Sequence, residues 1–350
     1  MSRQRIRLGA IALVVLALLA VVVTGAVVPG GTPKAAAADS VVLTVKHDGV
    51  MVKEYTLADV KALTPYVGYA GFITSGGTVN GPDAVTGVRI TDVLQDAFST
   101  AMTSGQSVDV HASDDYGMTY SYNQIVNGTP FDMINAVTKQ VEVAKARPAA
   151  VLVYIREGAP LPADDGAFRF YAAQLTDVGQ VMDGSLSVYD VSTLNLRDQA
   201  LPEWGLKLVG LKIKGKRQTI TEPRNAIEGC SRPGCHGSSR VISGNRWSGV
   251  PLWRLMGVVD GGARHKGHSY NAALARRGYR IRFFNAAGRC VTISSKGTAY
   301  RNGIVMANQV NGAVPGTKYY PLRLVGPAKY VPGSKRLGRI VKIVMLPKAK

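Results

Sequence analysis

The densest group of reactive side chains in the sequence is Cys230-Ser-Arg-Pro-Gly-Cys235-His236. Two local chemistries are open to it. Cys-x-x-Cys-His is the attachment motif of c-type haem, although here four residues separate the cysteines. A disulfide is the other, since a Pro-Gly turn lets the thiols approach and an oxidising compartment favours the bond. The third cysteine, Cys290, falls in a predicted strand and reads as a small buried apolar residue. His265-Lys-Gly-His268 is half of a metal site with no carboxylate near it in sequence, so it reads as a solvated loop. The pairs Asp114-Asp115 and Asp164-Asp165 have the spacing of acid–base dyads, but their glycine neighbours point to turns. Trp247 and Trp253 read as packing residues. Nucleotide-binding glycine fingerprints, phosphate loops and Ser/His/Asp signatures are missing from the sequence.

Charge sharpens the picture. The net charge of +19 is unevenly spread: residues 1–202 carry −5 and residues 203–350 carry +24. An asymmetry of this kind predicts that the second half meets something anionic, whether a small molecule, a cofactor or an acidic polymer of the envelope. Three cysteines in 350 residues exclude a disulfide-framework protein. The N-terminus has Arg3, Arg5 and Arg7, an uncharged run from Leu8 to Val28, a Pro29-Gly-Gly break and Ala35 to Ala38. That is the pattern of a secretory signal peptide cleaved near Ala37 or Ala38. The same run is also long enough for a membrane anchor. Either way residues 1–38 stand apart from the folded chain, which is expected outside the cytoplasm, with the membrane met only through this segment. An extracytoplasmic address also argues against nucleic acid as a partner.

The elements that must position these residues come in two matching series. Val41–Lys46 and Val50–Tyr55 read as a hairpin, and Leu57–Leu63 and Asp92–Met102 as helices, the latter capped by Thr91. Gly68 to Gly81 reads as a glycine-rich loop. In the second half, Gly249-Val250-Pro-Leu252 matches Gly87-Val88-Arg-Ile90, and Arg323 matches Arg169, at offsets of 162 and 154 residues. These landmarks predict two copies of one domain, 41–197 and 206–350, joined through Leu201-Pro-Glu203. Short strands with a few short helices give an α+β class with a mostly β core.

Both copies resemble the molybdopterin-binding domain of the sulfite oxidase family. Ser243-Gly-Asn-Arg-Trp-Ser-Gly-Val-Pro-Leu252 is similar to the family's turn before a leucine-rich helix, and Tyr320-Pro-Leu-Arg-Leu-Val-Gly-Pro327 with Gly333-Ser-Lys-Arg336 to its basic segment. Gly71–Gly77 and Ser113–Tyr116 resemble small secreted members. The resemblance implies a molybdopterin-dependent oxidoreductase, acting on a small oxyanion or in electron transfer with a redox partner. It also implies that Cys235 or Cys230 ligates the metal, the thiolate being a soft ligand suited to molybdenum, and that Arg323 and Arg336 hold the pterin phosphate. The first copy has no cysteine.

The sequence departs from the family where Cys235 is followed by His-Gly-Ser-Ser, and in lacking the arginine pair of a folded-export signal. The alternative is therefore a cofactor-free secreted binding module whose basic second half takes an anionic ligand or envelope polymer.

Overall fold

The computed structural model describes residues 40–74, 76–213, 216–231, 237–260, 270–298 and 303–348. The N-terminal segment, Cys235, His236, His265 and His268 lie outside the described residues. Residues 39–350 form one compact unit.

The first half opens with the hairpin β1 (Val41–His47) and β2 (Val50–Thr56). Helix α1 (Leu57–Ala62) leads to β3 (Pro65–Ile73) and β4 (Val79–Arg89). After α2 (Ile90–Phe98) come β5 (Ser107–Ala112), β6 (Gly117–Ser121) and α3 (Tyr122–Asn127). Then follow β7 (Met133–Asn135), β8 (Val141–Glu142), β9 (Ala149–Arg156) and β10 (Ala159–Pro160). The half closes with β11 (Arg169–Ala173), β12 (Gln180–Asp183) and β13 (Val191–Arg197).

The second half begins with β14 (Gly205–Ile213), β15 (Lys216–Pro223) and α4 (Arg224–Cys230). Next are β16 (Ser238–Ile242), β17 (Asn245–Pro251), α5 (Leu252–Gly257) and α6 (Ala272–Arg277). The chain ends with β18 (Arg280–Asn285), β19 (Cys290–Ser294), β20 (Val305–Val310), β21 (Arg323–Val325) and β22 (Ile340–Leu346).

These elements correct the α+β expectation: the protein is mostly β. Its described helices are short, and the longest, α2, has nine residues. The helices expected after the hairpin and after each Gly-Val turn do form, but at one to three turns they plug sheet ends and make no layer of their own. The expected loop from Gly68 to Gly81 is instead the paired edge of β3 and β4. Its glycines mark close backbone approach: a Cβ on Gly71 would lie 2.3 Å from the Asn80 carbonyl oxygen. Arg89, not Thr91, occupies the N-cap of α2.

Four sheets carry the fold. A five-stranded sheet runs β2-β1-β13-β5-β6, and another runs β15-β14-β22-β18-β19. In each, the last strand of the half pairs in parallel with the first, β13 with β1 and β22 with β14. The larger remaining sheet contains β4-β9-β11, and the smaller is β16-β17-β20-β21. The alternating apolar residues of these strands fill two separate main cores. Phe168, Phe170 and Tyr120 centre the first, and Phe283, Leu252 and Met306 the second. Helix α4 bridges the halves: Arg224 donates to the Thr119 carbonyl oxygen at 3.2 Å, and a Cβ on Gly229 would touch Met118 and Ser185. Among the described residues no helix is long and apolar enough to cross a membrane.

Two tests follow from this packing. Phe170 is fully buried and stacks 4.3 Å from Tyr120, so Phe170→Ala should cost about 3–5 kcal/mol in urea unfolding. Asp96 accepts from Lys53 Nζ at 2.7 Å and Tyr55 Oη at 2.6 Å, and these bonds hold its carboxyl below the usual value. A carboxylate depressed in the folded state stabilises fully above its unfolded pKa, about 3.9, and loses that contribution as pH falls through the lower folded value. The Asp96→Asn variant should therefore melt lower than the parent at neutral pH, and the gap should close in acid.

Candidate anion-binding site

The site grows out of one row of residues running across three strands. In the second half, Gly249 on β17 pairs with Ala307 on β20, which pairs with Arg323 on β21. In the first half, Gly87 on β4 pairs with Val153 on β9, which pairs with Arg169 on β11. Each glycine sits at a register shift, between Ser248 and Gly249 or between Thr86 and Gly87. A Cβ there would lie 2.1 Å from the Met306 carbonyl oxygen or 2.3 Å from that of Leu152, so only glycine fits these bulges. Pairing resumes past the bulge for two residues, to Pro251 and Arg89, and the short helix follows directly in each half.

The arginine at the end of each row has a different fate. In the first half Arg169 is 8% exposed, and Nη1 lies 2.5 Å from Asp165 Oδ1. Its Nε donates to Ser187 Oγ at 3.0 Å, and its guanidinium lies 3.8 Å from the Phe72 ring centroid. It is a closed structural ion pair.

In the second half both polar partners are exchanged. Asp165 stands four residues before Arg169; Tyr319 stands four before Arg323. Ser187 stands four residues before β13, just after a 3-10 turn; Arg336 stands four before β22, just after the matching turn. Arg323 thus loses a carboxylate, and gains a tyrosine that offers both a ring and a hydroxyl, with a second guanidinium nearby. It sits in the corner formed by Trp247 and Tyr319, 4.1 and 4.0 Å from their centroids, with the two rings meeting edge to face. The Nε atoms of Arg323 and Arg336 are both buried without a hydrogen-bond partner. Burial pulls the Arg323 guanidinium below its ordinary value, and the charge of Arg336 acts in the same direction.

Both arginines line a cavity of about 550 Å³, together with Trp247, Tyr319, Lys318, Asn245 and Ser243. No carboxylate is among its lining residues. Concave space of this size, with aromatic walls and a few convergent donors, is what small-ligand sites offer. The donors here are all cationic or neutral, so the ligand group they suit is an oxyanion able to accept from planar guanidinium edges.

The structure therefore brings Arg323 and Arg336 together. Cys230 is elsewhere: it ends α4, is partly buried against the second core, and does not line the cavity. Cys235 lies outside the described residues. Cys290, expected to be buried, is exposed on β19, because its strand position faces away from the core. Asp114 accepts from the Tyr116 backbone N–H and the Tyr189 hydroxyl within a turn. Among the described residues, one group of potential metal ligands converges, His47, Asp48 and Asp198, on the first half. Sequence reasoning missed Trp247 and Tyr319 as site residues. The signal was present in the spacing, since the fourth residue before each arginine is aspartate in one half and tyrosine in the other.

No family model matches the chain, and no curated protein does. Among solved structures, the chain is similar to the sulfane dehydrogenase SoxCD from Paracoccus pantotrophus, at 13% identity and a TM-score of 0.33. The match covers 87% of this chain and 63% of that one, so the chain spans less than two thirds of that neighbour's length.

Proposed function

We propose that the second half binds the phosphate or a similar oxyanion group of a small ligand between Arg323 and Arg336. The observation that carries this reading is the pair of arginines, Arg323 and Arg336, that line one cavity with no carboxylate among its lining residues, each with a buried Nε that finds no hydrogen-bond partner. Two part-buried guanidinium groups with no carboxylate beside them repel each other, and an oxyanion accepting from both would offset that repulsion. The closed pair of Arg169 with Asp165 supports the same reading by contrast, because an equivalent arginine kept only for structure carries its own counter-ion. We also read 41–197 and 206–350 as two copies of one domain, on their shared strand orders and the shared glycine-to-arginine row.

The ligand nominated by the sequence resemblance is molybdopterin, whose phosphate suits the two arginines. When bound, the group would supply redox chemistry at its metal, and Cys235 remains the proposed thiolate. In that reading the protein is an extracytoplasmic oxidoreductase. The second reading is a cofactor-free extracytoplasmic module that uses the same pocket for another anionic ligand. It is favoured by the position of Cys230 away from the cavity lining.

Titration calorimetry with a phosphate monoester tests the pocket. Charge-assisted hydrogen bonds contribute about 1.5–3 kcal/mol each, so Arg323→Gln should weaken binding by about ten-fold or more. Tyr319→Asp, which restores the counter-ion of the first half, should abolish binding while the fold is kept. Unchanged affinity in both variants would sink the proposal. Elemental analysis of protein from its native source separates the two readings, with stoichiometric molybdenum for the oxidoreductase and none for the module.

A further inference from the structure

The second half presents another cationic feature, on a sheet face and independent of the pocket. In the sheet β15-β14-β22-β18-β19, Leu206, Leu208, Ile281, Phe283 and Ile343 point into the second core. Pleating sends the alternate residues to the opposite face. There Lys207 pairs with Lys342, and Lys342 pairs with Phe284. The next row places Arg282 beside Val344, and the row beyond places Arg280 beside Leu346. Strands lie about 4.8 Å apart and two residues along a strand span about 7 Å. The four cations therefore make one oblique stripe with steps of about 5–8 Å.

Nothing acidic balances the stripe. Its polar contacts are neutral: Arg282 Nε donates to Thr292 Oγ1 at 3.3 Å, Arg280 Nε donates to the Pro347 carbonyl oxygen at 3.1 Å, and the Lys342 ammonium lies 5.3 Å over the Phe284 ring. Residues 203–350 contain only four acids. Glu222 and Asp260 are buried, Glu228 pairs with Arg224, and Glu203 precedes the sheet. The corresponding face of the first sheet is balanced instead. Glu54 pairs across from Thr44, and Asp109 meets Arg197 at 3.4 Å, beside Lys46 in the same row. Sheets of the same strand order thus differ in this one respect.

We propose that this face docks a linear phosphodiester polymer. Among the described residues the stripe is one cation wide, which fits a chain better than a broad surface. A polymer with six backbone bonds per repeat places its charges about 7 Å apart when extended, matching the steps between the cations.

The test uses the full chain and an end-labelled poly(glycerol phosphate), with binding read by fluorescence anisotropy over a range of salt. Four phosphate contacts predict a log–log salt slope of about −3. Lys207→Gln, Arg282→Gln and Lys342→Gln should each weaken binding about five-fold, and the variant with all four cations replaced should not bind. Lys207 is exposed and the other three are half-buried on the outer face, away from the core, so the variants should keep the fold, which an unchanged melting temperature verifies. Phosphate-monoester binding in the pocket should be the same in these variants, so failure of this proposal is distinct from failure of the pocket. Full binding by the fourfold variant would overturn the proposal. So would a salt slope near zero, or preference for phosphatidylglycerol vesicles over the polymer.

Discussion

The bulge at Gly249 is the constraint on which the site depends. The backbone of β17 approaches β20 so closely that a single added carbon would overlap the Met306 carbonyl oxygen. A side chain at this position would push β17 off β20, and the row that ends at Arg323 would lose its register. A one-residue slip sends every side chain of a strand to the opposite face. Arg323 would then leave the corner between Trp247 and Tyr319. The glycine thus acts on the guanidinium through the backbone alone, two strands away.

The same row in the first half shows the scaffold satisfying its arginine from within. Asp165 and Ser187 satisfy Arg169, and Phe72 covers its face. A buried arginine so paired gives up its capacity for outside acceptors. Exchange of two polar partners, aspartate for tyrosine and serine for arginine, removes that satisfaction and puts two like charges near each other. The folded state tolerates this because rings hold the guanidinium at stacking distance and the cavity admits solvent.

The sequence made much of this legible, and the reasons for the gaps are physical. The Gly-Val turns and the matched arginines were readable because they rest on fixed spacing, whereas Arg323 and Arg336 were nominated together only by the family resemblance. The fold class was not. The helices expected at Leu57–Leu63 and Asp92–Met102 are real, but helix length and layer count depend on tertiary packing, and the sheets take the core. Gly68 to Gly81 misled because glycine signals both a loop and a close strand crossing, and only the position of Asn80 distinguishes them. Cys290 misled because a strand alternates faces and its parity cannot be read without the partner strand. Trp247 looked like a packing residue, which it is, and Tyr319 drew no reading at all; the place of both in the cavity wall arises from the guanidinium they stack against.

Charge placement ties the halves together. The first half uses acids as internal counter-ions, as Asp165 does for Arg169, Asp109 for Arg197 and Asp96 for Lys53. The second half has too few acids to do the same, and three of its four are buried or paired. Its cations are therefore left to solvent or to outside anions. The two resulting features differ in range. An anion in the pocket would be held at hydrogen-bond distance in a part-buried corner, where salt screens less than at an open surface. The sheet face acts through water, where ions screen within about 8–10 Å. Rising ionic strength should thus separate them, weakening whatever the face attracts long before it empties the pocket.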